Sequence, residues 1–231
     1  MTRLTLCAVI ALFVNSHVVA DAAVVKSIST GIDDATNVQI ANNSPDPDFV
    51  VGLGSSAHVG SIPIARSSPL PPSYFGDAVS SSSRWLAINT GVGEEGLNVI
   101  QGTYFFQTEV NLSGFDASSA QIVDLRYGGD DKMNEITING VSVWTRPIAF
   151  GGDFFEWHNV GSIGLGSFVP GVNVIRFNVS NEPEPPTAMA LRVEGRVEAV
   201  VPEPGAGVLL AVALCGAKIL QRKRARNALS H

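Results

Sequence analysis

The chain has 231 residues, of which 45% are hydrophobic and 16% charged, and its formal net charge is −6. Of its 15 Lys and Arg residues, six lie in residues 1–22 or 201–231, so that nine remain in residues 23–200 against 19 of the 21 acidic residues. This acidic stretch repels nucleic-acid phosphates, so we exclude nucleic acid as a partner, and its length suits one domain with a full hydrophobic core.

The N-terminal residues 1–22 follow the plan of a secretory signal peptide. Arg3 supplies a positive charge, an apolar run extends from Leu4 to Val14, and small residues follow. These features, with a small-residue cleavage site at either residues 18–20 or residues 20–22, are typical of export. The alternative is a buried N-terminal helix or strand.

Residues 23–200 are predicted to form an all-β domain. Gly, Ser, Asn and Pro recur every few residues, and Val, Ile, Thr and Phe dominate the runs between them. Residues 41–83 are rich in Ser and Pro, which predicts long loops over an early strand pair. Several short strands separated by turn signals indicate a sandwich or a jelly roll.

The clearest strand signals lie in the second half of this domain. Strands are predicted at residues 103–110, 121–127, 172–179 and 190–200. In the second of these, alternation places Ile122, Asp124 and Arg126 on one face, and Val123, Leu125 and Tyr127 on the other. Asn139-Gly140 stands between two alternating runs, which predicts a hairpin with a type I′ turn.

Three segments in this order carry a resemblance. They are GTYFFQTEVNLSGFD (residues 102–116), GGDDKMNEITING (128–140) and VPGVNVIRFNVSN (169–181). Between Trp85 and Val197 the chain resembles the galactose-binding-domain-like jelly rolls. The resemblance implies a jelly-roll β-sandwich of a kind often used for carbohydrate or surface binding.

An acidic loop next to the predicted hairpin is a candidate cation site. Asp130, Asp131 and Asn134 offer the oxygen ligands that Ca²⁺ prefers. The alternative is an acidic turn whose side chains accept hydrogen bonds from the backbone. Asp33-Asp34 is a weaker candidate. No cofactor is certain, and a structural calcium ion is the one that the sequence suggests.

Two tryptophans are candidates for sugar binding. The flat faces of Trp144 and Trp157 could stack on a sugar ring, and Trp85 is a third possibility. The alternative is that these side chains belong to the hydrophobic core.

We expect no enzymatic activity. No H-E-x-x-H, G-x-S-x-G or phosphate-binding glycine loop occurs, and both cysteines, Cys7 and Cys215, lie in the hydrophobic terminal segments. The domain therefore has no disulfide framework and no Cys-based zinc site. A secreted hydrolase with two facing carboxylates is the least favoured alternative.

The C-terminal residues 201–226 carry three features in order. Val201-Pro202-Glu203-Pro204 is an extended, rigid step, an apolar run of about 205–220 follows, and a basic cluster ends it. The basic residues are Arg222, Lys223, Arg224 and Arg226. The run is short for a bilayer, but Lys218 can extend its amine toward the headgroups, and the basic end indicates a cytoplasmic side. A short tail, 227–231, follows, and the alternative is a buried C-terminal helix.

This order of features resembles the PEP-CTERM sorting signal. The resemblance implies that an exosortase, a membrane-bound processing enzyme, cuts near the Pro-Glu-Pro step and passes the protein to the cell surface or the extracellular polysaccharide matrix. The leading hypothesis is therefore an exported, membrane-anchored and then released surface or matrix protein. The alternative is a carbohydrate-binding module that recognises a matrix polysaccharide.

Overall fold

A computed structural model describes the central part of the chain. The described ranges are 22–54, 63–66, 83–88, 101–147, 153–182 and 189–202. The expected signal peptide, apart from Ala22, lies outside these ranges, as do Glu203, Pro204, the helix at 205–220 and the basic cluster. Residues Ala22–Val200 form one compact unit. Within the described ranges, no helix is long and apolar enough to cross a membrane.

The regular structure of the described ranges consists of strands without a helix. In chain order the strands are β1 (Ala22–Ser27), β2 (Ile32–Asp33), β3 (Val38–Gln39), β4 (Ser44–Pro45), β5 (Val50–Leu53), β6 (Ile64–Arg66), β7 (Trp85–Ala87), β8 (Gly102–Asn111), β9 (Asp116–Asp130), β10 (Lys132–Ile138), β11 (Val141–Thr145), β12 (His158–Ile163), β13 (Val172–Asn181) and β14 (Ala190–Val200). The all-β prediction is confirmed, and the predicted strand at 190–200 coincides with β14.

The strands form two antiparallel sheets and one small hairpin. The large sheet has seven strands, in the order β12-β9-β14-β7-β6-β4, with β1 paired to β14 as well. The small sheet has five strands, in the order β11-β10-β13-β8-β5, and β2 pairs with β3. Buried apolar side chains from both sheets belong to one core cluster. The domain is therefore a β-sandwich.

The core follows from alternation along the strands. On β13, Ile175, Phe177 and Val179 are fully buried while the residues between them are partly exposed. Phe177 lies opposite Phe106 of β8, and both side chains are fully buried in the cluster shared by the two sheets. Burial of aromatic and β-branched side chains on one face of each strand is what holds the two sheets together.

The predicted hairpin at Asn139-Gly140 is confirmed. Ile138 pairs with Val141 across the turn. Asn139 has φ +52° and Gly140 has φ +79°, and positive φ at both central positions defines a type I′ turn. The turn fixes the two pairs next to it, and an irregularity between Ile136 and Thr137 shifts the register of β10 and β11 beyond them.

The predicted alternation of β9 is wrong at one position. The register between β9 and β14 shifts between Glu194 and Arg196, and Asp124 on β9 has φ +51°. Asp124 is thus the extra residue of a β-bulge, which reverses the alternation on its two sides. Ile122 is fully buried in the core together with Leu125, and it does not share the exposed face of Asp124.

The two ends of the sandwich are distinguished by the strands that meet there. At one end Ala22 lies opposite Val200, and Val200 lies opposite Asp116; we call this the terminal end. At the other end Ala190 lies opposite Asp130; we call this the distal end. The first and last strands of the domain therefore meet at the terminal end.

Candidate functional site

Two polar clusters lie on opposite faces of the large sheet near the distal end. Arg126 and Tyr127 are neighbours on β9, so their side chains point to opposite faces. Tyr127 faces the small sheet and belongs to the inner cluster, which consists of Tyr127, Trp144, Arg146, Asp153 and His158. Arg126 faces outward and belongs to the outer cluster, which consists of Ser83, Arg126, Trp157, Arg192 and Glu194.

Asp153 is the centre of the inner cluster. Its side chain is fully buried, and its two oxygens accept hydrogen bonds from Arg146 at 2.9 and 3.1 Å. The backbone N–H of Met133 donates to the same carboxylate at 2.9 Å, and Nε2 of His158 lies 3.4 Å from it. A two-point contact with a guanidinium and a backbone donor together make up for the loss of water around this carboxylate.

Aromatic rings surround this ion pair. The ring of Tyr127 stacks on His158 with centroids 5.3 Å apart, and it meets Trp144 edge-on at 5.4 Å. Burial first, and then the negative charge of Asp153, raise the pKa of the Tyr127 hydroxyl above its usual range. Because β9 and β12 belong to the large sheet and β11 to the small one, the inner cluster connects the two sheets.

The outer cluster is a continuous chain of hydrogen bonds. The Ser83 hydroxyl donates to Glu194 at 2.7 Å and accepts from Nε of Arg192 at 2.8 Å. Arg192 also donates to the backbone carbonyl of Ser83 at 2.9 Å. Nε of Arg126 donates to the other oxygen of Glu194 at 2.8 Å. Arg192 is almost fully buried, whereas the Arg126 side chain is 41% exposed.

Trp157 lies against both arginines of the outer cluster. His158 pairs with Tyr127 and Gly128 pairs with Arg192, so Trp157 falls in the row that contains Gly128. Since Gly128 has no side chain, the indole ring can reach both guanidinium groups. Their carbon atoms lie 4.5 Å (Arg126) and 5.0 Å (Arg192) from the ring centroid, within the range of cation–π contacts.

The three candidate tryptophans have different environments. Trp85 is 1% exposed and belongs to the interior, so the prediction that it could stack on a sugar is wrong. Trp144 and Trp157 are both half-buried, but Trp144 contacts Tyr127 on the inner face and Trp157 contacts Arg126 on the outer face. The two rings therefore cannot form one common platform.

The candidate calcium ligands lie together at the distal end. Asp130 is buried, and the Asp131 carboxylate accepts a hydrogen bond from the backbone N–H of Glu182. The amide oxygen of Asn134 lies 3.4 Å from the Ser180 hydroxyl. Among the residues that the structure describes, no group of three or more His, Cys, Asp and Glu side chains could hold a metal ion. A calcium ion at Asp130, Asp131 and Asn134 remains a prediction.

In the weaker candidate, Asp33-Asp34, the two carboxylates have different partners. The Asp33 carboxylate accepts hydrogen bonds from the backbone N–H groups of Ala35 and Thr36 at 2.8 and 3.3 Å, as in an acidic turn. The Asp34 carboxylate lies 3.0 Å from Nζ of Lys26. The amine of Lys26 therefore occupies the place next to Asp34 where a cation would bind.

Sequence reasoning missed a buried carboxylate beside this ion pair. Asp46 is fully buried and accepts hydrogen bonds from the backbone N–H groups of Gly31 at 2.7 Å and Asp48 at 3.0 Å. Burial raises the pKa of Asp46 to about 6. It also raises the pKa of Asp34 to about 6, against the opposing effect of Lys26. The Asp-Pro-Asp sequence at residues 46–48 was the available signal.

The outer cluster was also missed, although its pattern is visible in the sequence. Arg192, Glu194, Arg196 and Glu198 alternate in sign along β14 at a spacing of two residues. In a strand such residues share one face, which indicates a charged outer surface. Ser83 gives no such signal, because it reaches the cluster through the fold.

Comparison with known proteins provides little further information. No family model matches the chain, and no curated protein matches it. A crystal structure of the Stig cyclase Fisc from Fischerella sp. TAU, in complex with an indole compound, is similar with a TM-score of 0.39 and 10% sequence identity. The similarity covers 75% of this chain and 98% of that one.

Proposed function

We propose that the chain is an exported, non-catalytic protein of the cell surface or extracellular matrix, which an exosortase processes at its C-terminal Pro-Glu-Pro step. The observation that carries this proposal is the pairing of Ala22 with Val200. The expected cleavage site of the signal peptide and the start of the sorting segment thus adjoin the same end of the domain. A domain built in this way can be held at a membrane by one end.

The residues just after β14 support this proposal. Val201 and Pro202 are both exposed, as a processing enzyme requires of its substrate. Pro202 has no backbone N–H, which prevents β14 from extending further. The remaining features of the sorting segment, an apolar run at about 205–220 and a basic end, are those that would retain the chain in a membrane until it is cut.

Localisation of variants in the producing cell tests the sorting segment. Deleting residues 201–231 should release the domain into the medium, and replacing Glu203 and Pro204 with Ala should leave an uncut chain in the membrane. The matched control replaces Glu184 and Pro185 in the second Pro/Glu cluster, EPEPP at 182–186, and should be processed normally. Unchanged localisation of the deleted chain would contradict the proposal.

We further assign the sandwich to the galactose-binding-like jelly rolls, acting without catalysis. The order of its β8, the Asn-Gly hairpin and β13 is that of the resembling segments. The polar clusters support a structural role, because Asp153 is engaged by Arg146 and Met133, and Glu194 by Arg126. No reaction step is proposed for either cluster.

Carbohydrate binding is a second candidate, and the position of Trp157 favours it. The indole ring lies on the outer face of the large sheet beside the half-exposed Arg126. An aromatic face next to charged hydrogen-bonding groups suits a sugar ring with polar substituents. Trp157→Ala should abolish binding to matrix polysaccharide, while Trp144→Ala, on the inner face, should not. Absence of binding to any polysaccharide by the unaltered domain would remove this candidate.

A further inference from the structure

The terminal end of the sandwich is formed by three connections with almost no charge. They are NLSGFD (residues 111–116), the Asn139-Gly140 turn and GLGSFVPGV (residues 164–172), and Asp116 is their one charged residue. The backbone N–H of Leu112 donates to the carbonyl of Gly171 at 2.8 Å, which connects the first segment to the third. The first segment then ends at Asp116, opposite Val200.

Asn173 connects the turn to the third segment. Its side-chain oxygen accepts a hydrogen bond from the Asn139 amide at 2.8 Å and another from the backbone N–H of Val169 at 2.8 Å. Its side-chain nitrogen donates to the carbonyl oxygens of Val169 at 2.7 Å and Gly171 at 2.9 Å. One buried amide thereby holds both segments in place at this end.

Exposed apolar side chains are concentrated at this end. Four of them form what we call the apolar end patch: Val141 (61% exposed), Leu165 (68%), Val169 (49%) and Val172 (57%). Of the other large apolar side chains exposed in the described part of Ala22–Val200, Val24 lies on β1, which begins at this end, and Val38 and Phe155 lie elsewhere. Such a concentration marks an interaction surface more than scattered exposure does.

The patch is presented by a fixed backbone. Gly164 has φ +83°, and a Cβ at this position would lie 2.5 Å from Ile138. The N–H of Ser167 donates to the carbonyl of Gly164 at 2.9 Å, and Phe168 is buried in the core. Leu165 and Val169 therefore lie outward on either side of Phe168, which is packed inward.

We propose that the apolar end patch lies on the lipid bilayer to which the C-terminal segment anchors the chain. This inference rests on the proposed function, because it needs residues about 205–220 in the membrane. Only residues 201–204 separate β14 from that run, and four extended residues span at most roughly 14 Å. The end of the domain at which β14 finishes is thereby kept close to the lipid.

The composition of this end suits the interface of a bilayer. Contact with the headgroup and upper acyl region favours apolar side chains and penalises charges that lose water. Four apolar side chains protrude at this end, and Asp116 is the one charge within the three connections. A patch of this size would bind lipid weakly alone, but an anchor nearby raises its effective concentration at the membrane. A second copy of the chain is the competing occupant.

Fluorescence quenching in vesicles tests this placement. The full chain, with Cys7 and Cys215 replaced by Ala, is labelled at Leu165→Cys with an environment-sensitive dye and reconstituted into phosphatidylcholine vesicles that carry nitroxide-labelled lipids. The matched control is Phe155→Cys, since Phe155 is also exposed and apolar (58%) but lies in the loop after Asp153. We expect a blue shift and loss of most emission at position 165, and neither at position 155.

Vesicle flotation separates the two proposals. If the chain floats with the vesicles but shows no quenching at position 165, the chain is anchored in the membrane but the apolar end patch does not contact lipid. That result overturns this inference alone. A chain that does not float contradicts the proposed anchor and removes this inference with it.

The ratio of protein to lipid distinguishes the bilayer from a second copy of the chain. Quenching should not depend on this ratio; a blue shift that increases with it would indicate a second copy and overturn the inference. Val172→Cys gives an independent label should Leu165→Cys disturb the fold.

Discussion

The two ends of the sandwich solve the same structural problem with different chemistry. Both must close the gap between the sheets where the strands end. The distal end does so with charges, since Asp153 is buried between Arg146 and the backbone of Met133, and Lys132 pairs with Glu182 nearby. The terminal end does so with uncharged groups, chiefly the Asn173 amide and the packed Phe168.

This difference indicates which end of the domain suits water and which end can leave it. Exposed charges favour water, so the distal end suits the aqueous side. Moving exposed apolar side chains out of water costs little free energy, so the terminal end suits contact with lipid. β1, which follows the N-terminal hydrophobic segment, and β14, which precedes the C-terminal one, meet at that same end. A domain anchored by its C-terminus would have its terminal end at the membrane and its distal end in water. The apolar and charged surfaces of this domain are distributed in that way.

The largest effect should come from breaking the buried ion pair of the distal end. Asp153→Ala leaves the Arg146 guanidinium, whose side chain is 11% exposed, without its carboxylate. Removing one partner of a buried pair costs about 3–5 kcal/mol. We expect a loss of that order in the free energy of unfolding of residues 22–202, measured by urea denaturation.

The matched control for this change is an exposed carboxylate in an ion pair. Asp124 pairs with Arg196, and its side chain is 71% exposed. Asp124→Asn should leave the urea midpoint essentially unchanged, because exposed pairs contribute little. A similar loss in both variants would show that burial is not what makes the distal pair important.

A smaller loss in the free energy of unfolding is expected at the terminal end, where the backbone of Gly164 lies close to the side chain of Ile138. Gly164→Ala places a methyl group 2.5 Å from Ile138 in a backbone conformation with φ +83°. Overpacking and the strained φ together should cost about 2–4 kcal/mol. Gly166→Ala, with φ +78° but open space around it, should show the φ cost alone, about 1–2 kcal/mol. Equal urea midpoints for the two variants would contradict the close contact.

A pH dependence is expected from the carboxylates near β1. Asp46 has its pKa raised from 3.8 to about 6 by burial, so the folded state binds its proton more tightly than the unfolded state does. The stabilisation is complete below pH 4 and is lost as the pH rises through about 6. Asp34 acts in the same direction, and Asp48 and Lys26 are the charges that face the pair.

Urea denaturation at several pH values measures this dependence. The free energy of unfolding of residues 22–202 should fall, on the order of 1 kcal/mol, between pH 4 and 6. Asp46→Asn should flatten this fall, since the amide does not titrate, although it loses one acceptor for the N–H groups of Gly31 and Asp48. An unchanged slope in this variant would assign the dependence to other groups.

Much of the fold could be predicted because the signals were local. The Asn139-Gly140 turn and the strands predicted at residues 172–179 and 190–200 depend on neighbouring residues only, and all three are confirmed. The bulge at Asp124 could not be predicted, since its position is set by the register with β14. A single extra residue then reverses the faces that alternation assigns.

The candidate site was less predictable because its contacts are distant in sequence. Ser83 and Glu194 are 111 residues apart and joined by one hydrogen bond. Trp157 gave a signal as an aromatic residue, but its contacts with Arg126 and Arg192 depend on the pairing of three strands. The charged stripe of β14 was visible, whereas its partners were not.

The smallest effect on stability should come from the apolar end patch itself. Leu165 is 68% exposed, so Leu165→Asn removes little buried area and should change the free energy of unfolding of residues 22–202 by no more than about 0.5 kcal/mol. Phe155→Asn, at an exposed apolar position outside the patch, should behave alike in urea. The two should differ in the anchored chain, where only Leu165→Asn reduces quenching of a label at Val172→Cys by nitroxide-labelled lipid. A large loss of stability in Leu165→Asn would mean that Leu165 is needed by the fold and is not available to the membrane.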